Sequence, residues 1–466
     1  MEEKKRGSFS GSLGFVLAAA GSAVGLGNLW RFPYLAARNG GGLFLVIYII
    51  LALTFGFAML TTEIGIGRKT RQSPLTAFAK LNQKFKFAGV LACLIPFMIL
   101  PYYCAIGGWV IKYFIAFVTG QGVKAAQDGY FGGFITAEAE PIIMMIIFFA
   151  ITAVIVFAGV DKGIESFSKI VMPALLVIVI GISIYCLTLH SDASGEARTG
   201  LQGLAVYIIP NFDGLTLQKF LSVTMDAMGQ LFFSLSVAMG IMIAYGSYVG
   251  DDANLSKSIN QIEICDTGVA FLAGVMIIPA VFAFMGPAGL EASGPSLMFV
   301  SLPKVFQSMG MIGNFIGALF FAMVLFAALT SSVSLMEAVV ASFMDQFNWE
   351  RKRASIFEGI CCFVIAVIVC LGYNKLYFEF TLPNGAVAQI LDILDYLSNN
   401  LFMPIIAIAE CILVGWVLGP SSIEEEIEKG GVKMGRKGLY EIMVKFVAPI
   451  LLFVLFLRAA GVLTAI

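Results

Sequence analysis

The chain has 466 residues, 59% of them hydrophobic and 13% charged, with a mean hydropathy of +0.91. So few polar residues cannot cover a water-soluble surface. With 29 Lys and Arg against 30 Asp and Glu, the net charge of −1 offers neither a basic face for nucleic acid nor an acidic tail.

Apolar runs long enough to cross about 30 Å of hydrocarbon recur from end to end. They predict an all-α polytopic membrane protein with about eleven spans, at 13–37, 42–66, 87–119, 142–159, 167–189, 216–249, 258–286, 309–345, 355–373, 386–418 and 438–463. The N-terminus, MEEKKRGSFSGSLGFVLAAAG, begins like a signal peptide but runs on into glycine-rich and charged sequence without a clear cleavage site, so it is expected to be retained. Gly21, Gly25 and Gly27 interrupt the first span. After the second span come Arg68, Lys69, Arg71, Lys80, Lys84 and Lys86, and after the eighth Arg351, Lys352 and Arg353, which places those loops and the N-terminus in the cytoplasm. Asp128, Glu138 and Glu140, before the fourth span, suit the outside. The stretch 190–215 is polar and too short for a domain, and Ile423 to Lys437 reads as a charged cytoplasmic linker. The sixth span, with GQLFFSLSVAMG, carries Gly229, two serines and Gly240 inside an apolar run.

The first and sixth spans head two groups of five. Irregular backbone at membrane depth is tolerated only where it is buried in protein or lines a cavity. Breaks at matching positions therefore predict a five-plus-five inverted repeat, roughly 13–189 and 216–418, with unwound first and sixth helices, an additional helix at 438–463 and one membrane domain over 1–466. Seven of the eight cysteines, Cys93, Cys104, Cys186, Cys361, Cys362, Cys370 and Cys411, sit in apolar segments without metal-site or disulfide spacing. The one histidine, His190, and the absence of HExxH and GxSxG motifs argue against an intramembrane enzyme. A channel would lack the saturable site that paired broken helices suggest.

The segment GSAVGLGNLWRFPY, Gly21 to Tyr34, carries the most information. Close helix packing through Gly21-xxx-Gly25 explains its glycines but not Asn28, Arg31 and Pro33. With NGGG after it, Tyr102-Tyr103 and Trp109 in the third span, GQLFFSLS in the sixth, LTSSVS in the eighth and LDYLSNN in the tenth, it resembles the neurotransmitter:sodium symporter family, in particular its bacterial leucine-transporter-like members, over essentially the whole chain.

That resemblance implies sodium-coupled symport of a small zwitterionic amino acid by alternating access, in a multi-pass protein of the bacterial cell membrane surrounded by lipid, with no nucleic-acid partner. A proton-coupled carrier on the same architecture is the nearest alternative. Two sodium ions are implied. One site would use carbonyls of Gly21, Val24 and Ala327 with hydroxyls of Thr330 and Ser331; isolated intramembrane Ser and Thr more often bond back to their own helix. The other would use Ala23, Asn28, Ser234 and Asp266 with the substrate carboxylate, and here Ser234 and Asp266 depart from the Thr and Asn of the leucine transporter.

Asp266 lies about 20 Å of helical rise beyond Asp252, well inside the bilayer, where a lone carboxylate usually marks an ion path. Animal relatives bind chloride near residues matching Tyr48, Gln230 and Ser234, and the Asp266 carboxylate would replace that anion, so no chloride requirement is expected. Monoamine carriers have an aspartate where this chain has Gly25. Without it the substrate must bring its own carboxylate, which the resemblance sets on the N–H groups of Leu26 and Gly27 and the Tyr103 hydroxyl. The ammonium would meet carbonyls near Ser22, Ala23, Phe232 and Ser236. The side chain would face Ile99, Tyr103, Phe233, Met239, Ser331 and Leu335, an uncharged pocket suited to a hydrophobic L-amino acid. Arg31 with Asp395, and Arg6 with Asp345, match the outer and inner gates.

Overall fold

The computed structural model describes residues 7–192, 197–291, 294–429 and 431–463. Within lipid each backbone N–H and C=O must be satisfied inside its own segment, so the apolar runs fold as helices. In chain order these are α1 (Ser12–Ala23), α2 (Gly27–Arg38), α3 (Gly42–Thr70), α4 (Gln83–Val118), α5 (Glu140–Phe157), α6 (Val160–Leu187), α7 (Leu217–Ser234), α8 (Ile241–Ser247), α9 (Leu255–Gly289), α10 (Met311–Phe347), α11 (Arg351–Leu371), α12 (Ile390–Leu418), α13 (Ser421–Ile427) and α14 (Lys437–Ala459). Among the described residues, nine are long and apolar enough to cross a membrane unbroken. A tenth crossing is the pair α1 and α2, bent by 50° at a short break. The eleventh expected span is the pair α7 and α8, parted by residues 235–240.

The two breaks have different backbones. At the first, Val24 leaves the helix with ψ 86° and the chain re-enters through a wide turn over Gly27–Arg31. At the second, Ser236, Ala238 and Gly240 all adopt positive φ, at 54°, 58° and 73°. Only Gly240 does so without steric cost; each of the other two gives up about 1 kcal/mol to the left-handed conformation. Surrounding contacts must hold them there.

Around these breaks, α4 and α10 pack along one another, α8 lies against α3, and α1 is wedged between α9 and α10. The outer faces of α5, α6, α11 and α14 expose Val154, Ile170, Val177, Ile360 and Ile450, the apolar surface that hydrocarbon requires.

Three expectations change in detail. Arg68 and Lys69 belong to α3 rather than to the loop after it, and Arg68 is buried, with Nε 2.9 Å from Glu426 of α13. The stretch expected as a linker thus contains a docked helix, in which Glu424 and Glu426 are also buried. Residues 190–215 include a helix, Gly200–Ile208, packed on α9. All eight cysteines are free thiols.

Candidate substrate and ion site

The broken ends meet in the middle of the bundle. Ser22 at the end of α1 is the knot: its carbonyl accepts from Ser236 Oγ at 3.0 Å and from Ser331 Oγ of α10 at 3.1 Å, while its own hydroxyl lies 3.2 Å from Ser236 Oγ. Both breaks are thereby tied to α10. A small cavity results, lined by Ser22, Ala23, Gly27, Ile99, Tyr103, Phe233, Ser236, Met239, Ser331 and Leu335, all expected there. Gly25, Asn28, Ser234 and Ile241 complete the wall. Ile241 had no sequence signal beyond being the first residue after Gly240. Leu26 contributes its N–H, which donates to the Tyr103 hydroxyl at 3.3 Å. Phe232 does not line this cavity; its side chain packs on Phe55 and borders the cleft above.

At Gly25 the packing is tight. A Cβ there would lie 2.7 Å from Ser331 Oγ and 3.2 Å from the Tyr103 hydroxyl, closer than real Cβ contacts allow. A carboxylate side chain at this position would have to displace Ser331 and Tyr103, and the wall carries no charged group of its own.

Beside the cavity lies a buried polar cluster. Asp266 sits about 17 Å of rise from the start of α9 and is fully buried. Its Oδ1 accepts from Asn28 Nδ2 and Ser234 Oγ, both at 2.8 Å. Asn28 in turn accepts the Gly25 N–H at 3.2 Å, and Gln230 Nε2 donates to the Gly27 carbonyl at 3.0 Å. Asp266 Oδ2, Gln230 Oε1 and the Tyr48 hydroxyl make no close hydrogen bond, although Tyr48 faces both Asp266 and Ser234. Orphaned buried oxygens beside a carboxylate that no cation pairs with are what a hard cation seeks.

Two members of the second expected ion site, Gly21 and Thr330, lie side by side. A Cβ on Gly21 would lie 3.3 Å from Thr330 Cβ, so α1 and α10 approach closely there. The Thr330 hydroxyl donates to the Ala327 carbonyl at 3.0 Å, which leaves its lone pairs available. Val24 occupies the break itself, its N–H bonded to the Ala20 carbonyl at 2.7 Å.

A cleft of about 390 Å³ opens above the cavity, with Phe233 a wall of both. Arg31 lines it. Arg31 and Asp395, expected as a pair, make no direct ion contact among the described residues; the guanidinium acts on Asp395 through space, while Tyr102 and Asn399 donate to its Oδ1 at 2.9 and 2.6 Å. A different charge pair spans the cleft: Arg458 of α14 and Asp226 of α7, 2.8 Å apart.

At the opposite end of α1, Arg6 lies outside the described residues, and Asp345 accepts the Ser73 N–H at 2.7 Å. A further network at this end centres on Glu337 of α10. Arg351 grips both its carboxylate oxygens, at 2.6 and 2.8 Å, and the Tyr248 hydroxyl donates to it at 2.7 Å. Phe9 packs its ring on Tyr248 and donates its N–H to the Tyr248 carbonyl at 3.3 Å. Sequence reading treated Arg351 as a topology charge and did not single out Glu337; a carboxylate inside the eighth span was the available signal.

A model described as the sodium:neurotransmitter symporter family matches residues 6–124 and 134–465. The chain belongs to that family. It is 31% identical to a sodium-dependent transporter of Bacillus subtilis over the full length of both chains, and 32% identical to one of Methanocaldococcus jannaschii over all of this chain and 93% of that one. A sodium-dependent dopamine transporter of Caenorhabditis elegans is 27% identical, over 84% of this chain and 72% of its own. The crystal structure of MhsT in complex with L-phenylalanine superposes with a TM-score of 0.84 at 35% identity, covering 98% of this chain and all of that one. As a member of the family the protein is a sodium-dependent, multi-pass membrane transporter rather than an enzyme, and the likeness to MhsT agrees with the helical, broken-span architecture.

Proposed function

We propose that the protein carries a hydrophobic L-amino acid with two sodium ions by alternating access, without a chloride requirement. One observation carries the reading: the cavity wall has no charged side chain, and at its crowded Gly25 corner the Leu26 N–H and the Tyr103 hydroxyl, bonded to each other at 3.3 Å, are the donors that a carboxylate would engage. With no carboxylate of its own to offer an ammonium, the site favours a substrate that brings one. The rest of the wall, Ile99, Phe233, Met239 and Leu335, is apolar and asks for an apolar side chain. That MhsT was crystallised with L-phenylalanine, at 35% identity, is consistent with this class.

The unpartnered Asp266 oxygen supports sodium beside the substrate and supplies the fixed negative charge that would make an anion unnecessary. The Gly21, Val24, Ala327, Thr330 and Ser331 cluster is the second ion position. The basic loops support a cytoplasmic N-terminus, and the two broken spans support the inverted repeat.

Thermal stabilisation of the purified protein by each of the twenty amino acids tests this, because a ligand that binds only the folded state raises its apparent stability. Leucine-like or aromatic amino acids are expected to stabilise in sodium chloride and sodium gluconate alike and not in potassium chloride. Equal stabilisation in potassium would contradict sodium coupling, and loss in gluconate would contradict chloride independence.

A further inference from the structure

Away from that site, among several buried carboxyl oxygens with nothing to bond on Glu63, Glu358, Glu410 and Glu424, three belong to one facing pair. Glu63 of α3 and Glu410 of α12 are both fully buried. Glu63 Oε1 accepts the Ala238 N–H, in the link between α7 and α8, while its Oε2 has no partner. Glu410 has no partner on either oxygen.

The two side chains share one interhelical space. Glu63 is the charged group that acts on Glu410. Next to Glu410, the Cys411 thiol lies 4.0 Å from the sulfur of Met59, one turn before Glu63. Among the described residues no Lys or Arg pairs with either carboxyl. The ionisable neighbours are themselves acids: Cys411 on α12, and Tyr440 on α14, whose hydroxyl is 3.0 Å from Thr62 Oγ1 of α3. Glu424 of α13 is farther out and paired with Lys437 at 2.9 Å. The link between α7 and α8, LSVAMG, carries no titratable side chain.

Two bare carboxylates cannot face each other in such a place without a cation. A single proton removes one charge and provides the donor that an orphan oxygen lacks. We propose that Glu63 and Glu410 form a proton-binding site that holds one proton between them, and that this proton fixes the link forming the floor of the substrate cavity. With the proton in place, Glu63 keeps its grip on the Ala238 N–H, two residues from Ser236 and one from Met239, both of which line the cavity. Without it, repulsion between the carboxylates loosens that grip. The proposal does not depend on which amino acid or how many sodium ions bind.

The test uses the full-length wild type and Glu410→Gln, without substrate. Infrared spectra at neutral pH should show a deuterium-sensitive carbonyl band of a protonated carboxyl in the wild type that is lost in E410Q. Because the folded wild type would hold a proton that the unfolded chain releases, its stability must fall as pH rises, by about tenfold in the unfolding constant per pH unit relative to E410Q. Other titrating groups are common to both proteins and cancel in the comparison. Persistence of the band in E410Q, or parallel pH profiles, would overturn the proposal. Should E410Q not fold, Glu410→Asp serves: a shifted band supports the site, and an unchanged spectrum contradicts it.

Discussion

An added Cβ at Gly25 would lie 2.7 Å from Ser331 Oγ and 3.2 Å from the Tyr103 hydroxyl, so in the proposed function this position bears directly on the charge the substrate carries. Gly25→Asp should abolish amino-acid binding, by more than about 100-fold, since it both fills the space and sets a like charge against the substrate carboxylate; isothermal titration in sodium reads this. Asp266 makes a complementary prediction. Its Oδ1 is held by Asn28 and Ser234 while Oδ2 is free of partners. Asp266→Asn keeps the shape and removes the charge. Substrate binding should then weaken at least about tenfold in sodium gluconate and recover in part when chloride is added; equal loss in both salts would mean that the carboxylate does not stand in for an anion.

Between elements, the broken spans were the most legible feature of the chain. Glycines in an apolar run weaken the helix where they stand: the first span parts beside Gly25 and the sixth just before Gly240, whereas Gly229 stays within unbroken α7. Asp266 was legible for a related reason, as a charge with no business at that depth. What stayed hidden were pairs assembled from distant segments. Arg351 looked like a loop charge and Glu337 like one residue of a long helix, yet they form a buried clamp joined by Tyr248. Arg458 with Asp226, and Arg68 with Glu426, escaped in the same way, because no periodicity links residues 232 or 358 positions apart.

The Glu337 clamp has a measurable consequence. Removing one member of a buried, hydrogen-bonded ion pair leaves the other uncompensated, at a cost of about 3 kcal/mol or more. Arg351→Met should therefore lower thermal stability in detergent far more than Tyr248→Phe, which removes one hydrogen bond to a charged group worth about 2 kcal/mol. Equal effects would mean that the clamp is screened by solvent.

On the scale of the whole molecule, the breaks, the cavity and the cleft lie on one route. The cleft of about 390 Å³ shares Phe233 with the cavity as a common wall, while Phe9, Tyr248 and Glu337 pack together at the opposite end of α1. Alternating access requires that these two closures never open together. The orientation is also testable: a single cysteine at Lys84, exposed in the first turn of α4 at the expected cytoplasmic end, should react with a membrane-impermeant maleimide in inverted vesicles and not in intact cells. The reverse pattern would invert the topology.

The central claim, sodium-driven movement of an apolar amino acid without chloride, is tested most directly by uptake into proteoliposomes. With L-phenylalanine and L-leucine outside, an inward sodium gradient imposed as gluconate should drive saturable accumulation equal to that in chloride, and potassium should drive none. Accumulation that follows a chloride or proton gradient in the absence of sodium would contradict the account.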